Sequence, residues 1–184
     1  MSNAIVRGSL SQIAAQSGKS LAESFIHCDA VVLVDTSASM GTYDTSARSR
    51  YAAALSELQA LQEALPGKIA VISFSDRAVF CPAGIPEFLN AGTDVAAALQ
   101  FARVADVPGM QFFLISDGEL DSAADALRVA RQYSNRINTI FVGPEMGGGR
   151  RFLNDLALAT GGTQYVAELT KALGATIQQA MLNG

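Results

Sequence analysis

VVLVDTSASM, residues 31–40, runs four apolar side chains straight into an aspartate and then alternates hydroxyls with small residues. The unbroken apolar run suits a strand covered on both faces, as in a parallel sheet. Its end carries Asp35, Ser37 and Ser39, spaced two apart. If the backbone curls there, the three side chains point the same way. Such an ending is either a polar turn or part of a metal site.

Three further runs have the same continuous character: IAVISF at 69–74, QFFLIS at 111–116 and INTIFVG at 137–143. Helical spacing fills the gaps between them. Tyr51, Ala54, Leu55, Leu58, Leu61 and Leu65 form one stripe, closed by Pro66-Gly67. Val95, Ala98, Leu99 and Ala102 form a second, and Ala123, Ala126, Leu127, Ala130 and Tyr133 a third. Phe152, Leu153, Leu156 and Ala157 open a fourth. A Gly161-Gly162 turn leads to a short strand, TQYV, and a final helix is expected over about 168–182. Alternating strands and helices define an α/β fold with a mainly parallel sheet. RAVFCP at 77–82 follows the second run after only two residues. That is too short for a crossover, so it is expected to pair antiparallel and form an edge. Residues 8–26 read as an extra helix, weakened by Gly18. The organisation expected is an N-terminal extension over 1–28 and one domain over 29–184.

The chain of 184 residues has 49% hydrophobic and 16% charged residues and a net charge of −4. That is a compact globular composition, large enough for a substantial core. The acidic balance, with no basic cluster beyond Arg150-Arg151, argues against nucleic-acid binding. No apolar run reaches membrane-spanning length, and the first residues lack the apolar centre of a secretory signal. Cys28 and Cys81 read as reduced core thiols. A cytoplasmic protein is expected, without a membrane partner.

In an open α/β sheet, ligands gather outside the carboxyl ends of the strands. The first strand ends in Asp35, Ser37 and Ser39, and the third in Ser116-Asp117-Gly118-Glu119. Gly92-Thr93-Asp94 opens the helix before the third strand. Two carboxylates, Asp35 and Asp117, and three hydroxyls, Ser37, Ser39 and Thr93, are therefore expected on one edge. An all-oxygen set suits a hard divalent cation, Mg²⁺ first, with Mn²⁺ or Ca²⁺ as alternatives. With few anionic ligands the ion stays electrophilic and favours a carboxylate from outside. Each piece also has a plainer reading. Ser39 can make a turn, Thr93 can cap a helix, and Asp117-Gly118 can be a turn alone.

Asp-x-Ser-x-Ser at 35–39, Thr93 within GTD and Asp117 within SDG resemble the metal-ion-dependent adhesion site of von Willebrand factor type A domains. ATGGTQYV at 159–166 resembles the late turn and strand of that family, and the likeness covers about residues 29–182. The resemblance implies a Rossmann-like three-layer α/β/α fold with one short antiparallel edge strand. It implies direct metal contacts from Ser37 and Ser39, with Asp35, Thr93 and Asp117 binding directly or through water. It also implies metal-dependent capture of a Glu or Asp on a partner protein, without catalysis. Two alternatives stay open. One is a metal-dependent hydrolase or phosphoryl-transfer enzyme, against which no general base or phosphate loop is evident. The other is an interaction subunit of an ATPase-containing complex, with residues 8–26 as a docking element. Near the site, most of Asp44, Asp76, Asp94 and Glu119 read as solvated acids, while Glu119 is close enough in sequence to Asp117 to shape the ligand face. Glu145, Arg150 and Arg151 are expected on the same edge, and the single histidine, His27, reads as structural.

Overall fold

The computed structural model describes residues 5–43, 49–143 and 148–166. The expected final helix over 168–182, Asp44 and Glu145 lie outside them. Six strands form one sheet: β1 (Ala30–Asp35), β2 (Ile69–Phe74), β3 (Ala78–Phe80), β4 (Gln111–Ser116), β5 (Ile137–Phe141) and β6 (Gln164–Val166). Their spatial order is β3-β2-β1-β4-β5-β6. All neighbours are parallel except β2 and β3, which pair antiparallel with Phe74 opposite Ala78. The two-residue link foreseen after β2 thus makes the edge hairpin.

Every residue of β1 and β2 is buried, which explains their unbroken apolar runs. Alternate residues face opposite layers. Val32 and Val34 pack with Ala54, Leu58 and Leu61 of helix α3 (Arg50–Ala64) on one side. Val31 and Leu33 join a second cluster on the other side. That cluster takes in α4 (Val95–Ala102), α5 (Ala123–Ala130) and α6 (Gly148–Ala159). The result is a three-layer α/β/α fold with a mainly parallel sheet and one antiparallel edge strand.

The single helix expected over 8–26 is two helices, α1 (Leu10–Ser17) and α2 (Leu21–Ile26). Gly18 ends α1 in the left-handed region, at φ 68°. Glycine adopts that conformation without steric penalty. Ser20 and Glu23 then restart the chain with a reciprocal capping box. Backbone bonds strap this segment to the edge hairpin's exit and to the end of α3. Val6 N–H donates to Ala83 O, Ser11 N–H to Pro82 O and Gly67 N–H to Gly8 O. Leu10 is buried within the α4–α6 cluster.

The strand order reverses direction between β1 and β4. That is the switch point where loops on either side diverge and leave a crevice. Asp35 ends one of these strands and Ser116 the other.

Candidate metal centre

Asp35 is fully buried at the end of β1. One carboxylate oxygen accepts from the Ser37 backbone N–H at 2.9 Å, and the other from the Ser116 hydroxyl at 2.6 Å. Burial nevertheless dominates its ionisation and pushes its pKa up to about 6; the nearby Asp117 carboxylate adds to the effect, while the Ser116 and Ser37 bonds oppose it. A buried carboxylate held this far above its ordinary range is short of positive charge.

After Asp35 the chain curls into a short 3₁₀ turn, Ala38–Gly41, whose first flanking residue is Ser37. The curl brings the Ser37 and Ser39 hydroxyl oxygens to 3.1 Å of each other. Met40 behind them is fully buried among the α3-side residues, so it anchors the turn to the core.

The loop carrying Thr93 is fastened to this turn through its backbone. Ala38 N–H donates to Ala91 O, and Asn90 N–H to Thr36 O. Asn90 reaches Thr36 from a positive φ of 54°, a conformation asparagine tolerates better than most residues. Asp94 caps α4, its carboxylate accepting from Ala97 N–H at 2.8 Å. The capping role open to Thr93 from sequence is therefore filled by its neighbour. Thr93 is 6% exposed, and among the described residues its hydroxyl makes no hydrogen bond. Asp94→Ala is expected to cost about 1 kcal/mol of stability. Thr93→Ala is expected to leave stability within about 0.5 kcal/mol. Urea unfolding of the two variants separates the cap from the free hydroxyl.

Asp117 follows β4 and is 3% exposed. One oxygen accepts from Glu119 N–H at 3.2 Å. The other pairs with the Arg50 guanidinium at 2.7 Å, and the same guanidinium nitrogen lies 3.5 Å from Ser39 O. Gly118 is held at φ 74° and its N–H donates to the Ser116 hydroxyl. Ser116 thus braces both acidic loops, accepting from one and donating to Asp35 on the other.

Asp35, Ser37, Ser39 and Asp117 are linked by these bonds, and Thr93 belongs to the loop bonded to the Ser37–Ser39 turn. Among the described residues, no three His, Cys, Asp or Glu side chains gather as a metal-holding group. Any cation held here would draw most of its protein donors from hydroxyls. Glu119 and Arg150 are exposed. Arg50 and Ser116 are the two residues not foreseen. Arg50 had a signal: a cation in the first turn of a helix opposes the helix dipole and calls for an acidic partner. Ser116 had none beyond its place at a strand end.

The three-layer fold, with a six-stranded sheet among the described residues, is shared by solved structures that include a von Willebrand factor type A protein. No family model matches the sequence, and no curated protein does. Among solved structures, an aerotolerance-related membrane protein from Bacteroides fragilis carrying multiple mutations to serines superposes with a TM-score of 0.71. It is 16% identical, over 84% of this chain and 98% of that one. A von Willebrand factor type A protein from Catenulispora acidiphila has a TM-score of 0.61 and 19% identity, over 83% of this chain and 41% of that one. The conserved hypothetical protein BatB from Bacteroides thetaiotaomicron has a TM-score of 0.60 and 15% identity, over 84% and 98%. At these identities the likeness is one of fold. Among the described residues no helix is long and apolar enough to cross a membrane.

Proposed function

We propose that this chain is a protein-interaction module that uses a divalent cation, Mg²⁺ first, to capture an acidic side chain of a partner protein. The observation that carries the reading is the crevice itself. Two buried carboxylates stand near enough for Asp117 to raise the pKa of Asp35, with paired hydroxyls from Ser37 and Ser39 beside them. The donor chemistry fits a hard cation, because every candidate ligand atom is oxygen. Asp35, Ser37, Ser39, Thr93 and Asp117 would hold the ion, which would supply an electrophilic position for a carboxylate. The protein's own part is to fix those oxygens. Ser116 and the Ser37 N–H orient Asp35, the buried Met40 anchors the serine turn, and with Asp94 capping α4 the Thr93 hydroxyl makes no hydrogen bond among the described residues.

Binding rather than turnover is the reading favoured. Asp35 accepts from the Ser37 N–H and the Ser116 hydroxyl, and Asp117 from the Glu119 N–H and the Arg50 guanidinium, so neither carboxylate stands free as a general base. His27 is exposed and ends α2, so it has no place in the crevice chemistry described. The test is capture from native cell extract with the full chain as bait, in Mg²⁺ and in chelator. The expected result is a specific partner retained in Mg²⁺, released by chelator and missing with Asp117→Ala. Equal capture in all three conditions overturns the reading.

A further inference from the structure

Arg50 is an unusual neighbour for a cation site, because it is already a cation there. Its backbone is fixed. Its N–H donates to Thr42 O, Tyr43 and Ser49 pair across the loop before it, and Ser49 caps α3 through Ala52 N–H. The side chain is 15% exposed and its guanidinium closes on an Asp117 carboxylate that is 1% exposed. The first turn of α3 carries no acidic residue to hold it locally. The helix N-terminus repels positive charge, and among the described residues Asp117 is the acidic partner that holds the guanidinium in the crevice. With Asp117 Oδ1 taken by Glu119 N–H and Oδ2 by Arg50, both oxygens are occupied.

We propose that Arg50 is a tethered competitor for the metal: its guanidinium closes the crevice by pairing with Asp117, and a divalent cation must displace it to load. This rests on the metal-binding reading above. The charges explain the use of such a residue. Asp35 and Asp117 with Arg50 sum to −1 when both acids are ionised, and a divalent ion brings the crevice to +1. A loaded crevice that keeps Arg50 nearby therefore attracts one further carboxylate, whereas the same crevice without Arg50 would be neutral. Arg50 thus lowers affinity for the metal alone and raises the preference of the loaded site for an acidic ligand. Displacement leaves the guanidinium on a long stem at the crevice mouth, where it can pair with that ligand.

The test titrates Mg²⁺ into the full chain and into Arg50→Met by calorimetry, with and without acetate as the carboxylate probe. Arg50→Met is expected to bind Mg²⁺ at least about fivefold more tightly. Acetate is expected to tighten Mg²⁺ binding more in the original chain than in the variant, and equal tightening in both overturns the part of Arg50 in ligand preference. In the original chain, the Arg50 side-chain nitrogen signal by NMR is expected to shift on Mg²⁺ saturation. This readout separates displacement from simple loss of a nearby charge, and it does not depend on a variant folding. Arg50→Gln, which keeps a donor for Asp117, replaces Arg50→Met if the latter does not fold. Mg²⁺ binding of equal or lower affinity in the variant, or an Arg50 signal unmoved at saturation, overturns the competitor role alone. Absence of Mg²⁺ binding by both proteins overturns the metal reading and this inference with it.

Discussion

Asp35→Asn is expected to abolish Mg²⁺ binding, by at least about a hundredfold, while making the metal-free protein more stable at pH 8. The two effects have one cause. Burial holds the Asp35 carboxyl at about 6 in the fold, against an ordinary value of 3.8. Folding therefore disfavours the ionised form. Stability of the metal-free protein falls as pH rises from about 4 to 6 and stays lower above that. A gap of about two pH units at about 1.4 kcal/mol each sets an upper scale of roughly 3 kcal/mol. Asparagine keeps an oxygen for the Ser37 N–H and a polar group for Ser116 without the charge. Thermal unfolding of both proteins without metal should show the variant ahead by about 1–3 kcal/mol at pH 8. The advantage should shrink toward pH 4, where Asp35 itself is neutral. A variant less stable than the original chain at pH 8 would show that the Asp35 hydrogen bonds outweigh its desolvation. Retained Mg²⁺ affinity would remove Asp35 from the ligand set.

That trade marks what sequence could and could not reveal. The strands were legible because burial on both faces leaves no room for polar alternation. IAVISF and QFFLIS match β2 and β4 residue for residue. The edge hairpin was legible from the length of its link. The Asp35, Ser37 and Ser39 side chains were legible as a group because their spacing of two becomes convergence once the backbone curls. The contribution of Ser116 and Arg50 was not, since it depends on which loops meet. Asp35 and Ser116 are 81 residues apart, and Arg50 and Asp117 are 67 apart. The break at Gly18 was visible as a weak point in one helix. The capping box that restarts the chain at Ser20 is also written in sequence, as Ser-x-x-Glu, and it turns a weakened helix into two. The assignment of the α4 cap to Asp94 rather than Thr93 turned on a single residue, the scale at which helix boundaries are hardest to place.

Gly118→Ala is expected to damage both the fold and the crevice. At φ 74° an L side chain is strained, which costs about 1–3 kcal/mol. The added Cβ would also stand 2.4 Å from the Gly149 Cα and carbonyl oxygen, backbone atoms at the start of α6. Something must move, and both candidates matter. Retreat of α6 loosens Phe152 and Leu153 from the core, while retreat of the β4 loop carries Asp117 away from Asp35. The contact is reciprocal, because a Cβ on Gly149 would lie 2.2 Å from the Asp117 carbonyl oxygen. Overpacking adds about 1–3 kcal/mol to the strain, so Gly118→Ala should lose roughly 2–6 kcal/mol in urea unfolding. Mg²⁺ affinity should fall about tenfold or more as Asp117 shifts. Gly148→Ala is the matched control. It lies one residue from the contact, a Cβ there meets nothing within 4 Å, and alanine favours the helix. That variant should match or exceed the original chain's stability by up to about 1 kcal/mol and keep its Mg²⁺ affinity. If Gly118→Ala behaved like Gly148→Ala, the close backbone approach would not be what positions Asp117. A stable Gly118→Ala with weakened Mg²⁺ binding would place the whole effect on the acidic loop, leaving α6 undisturbed.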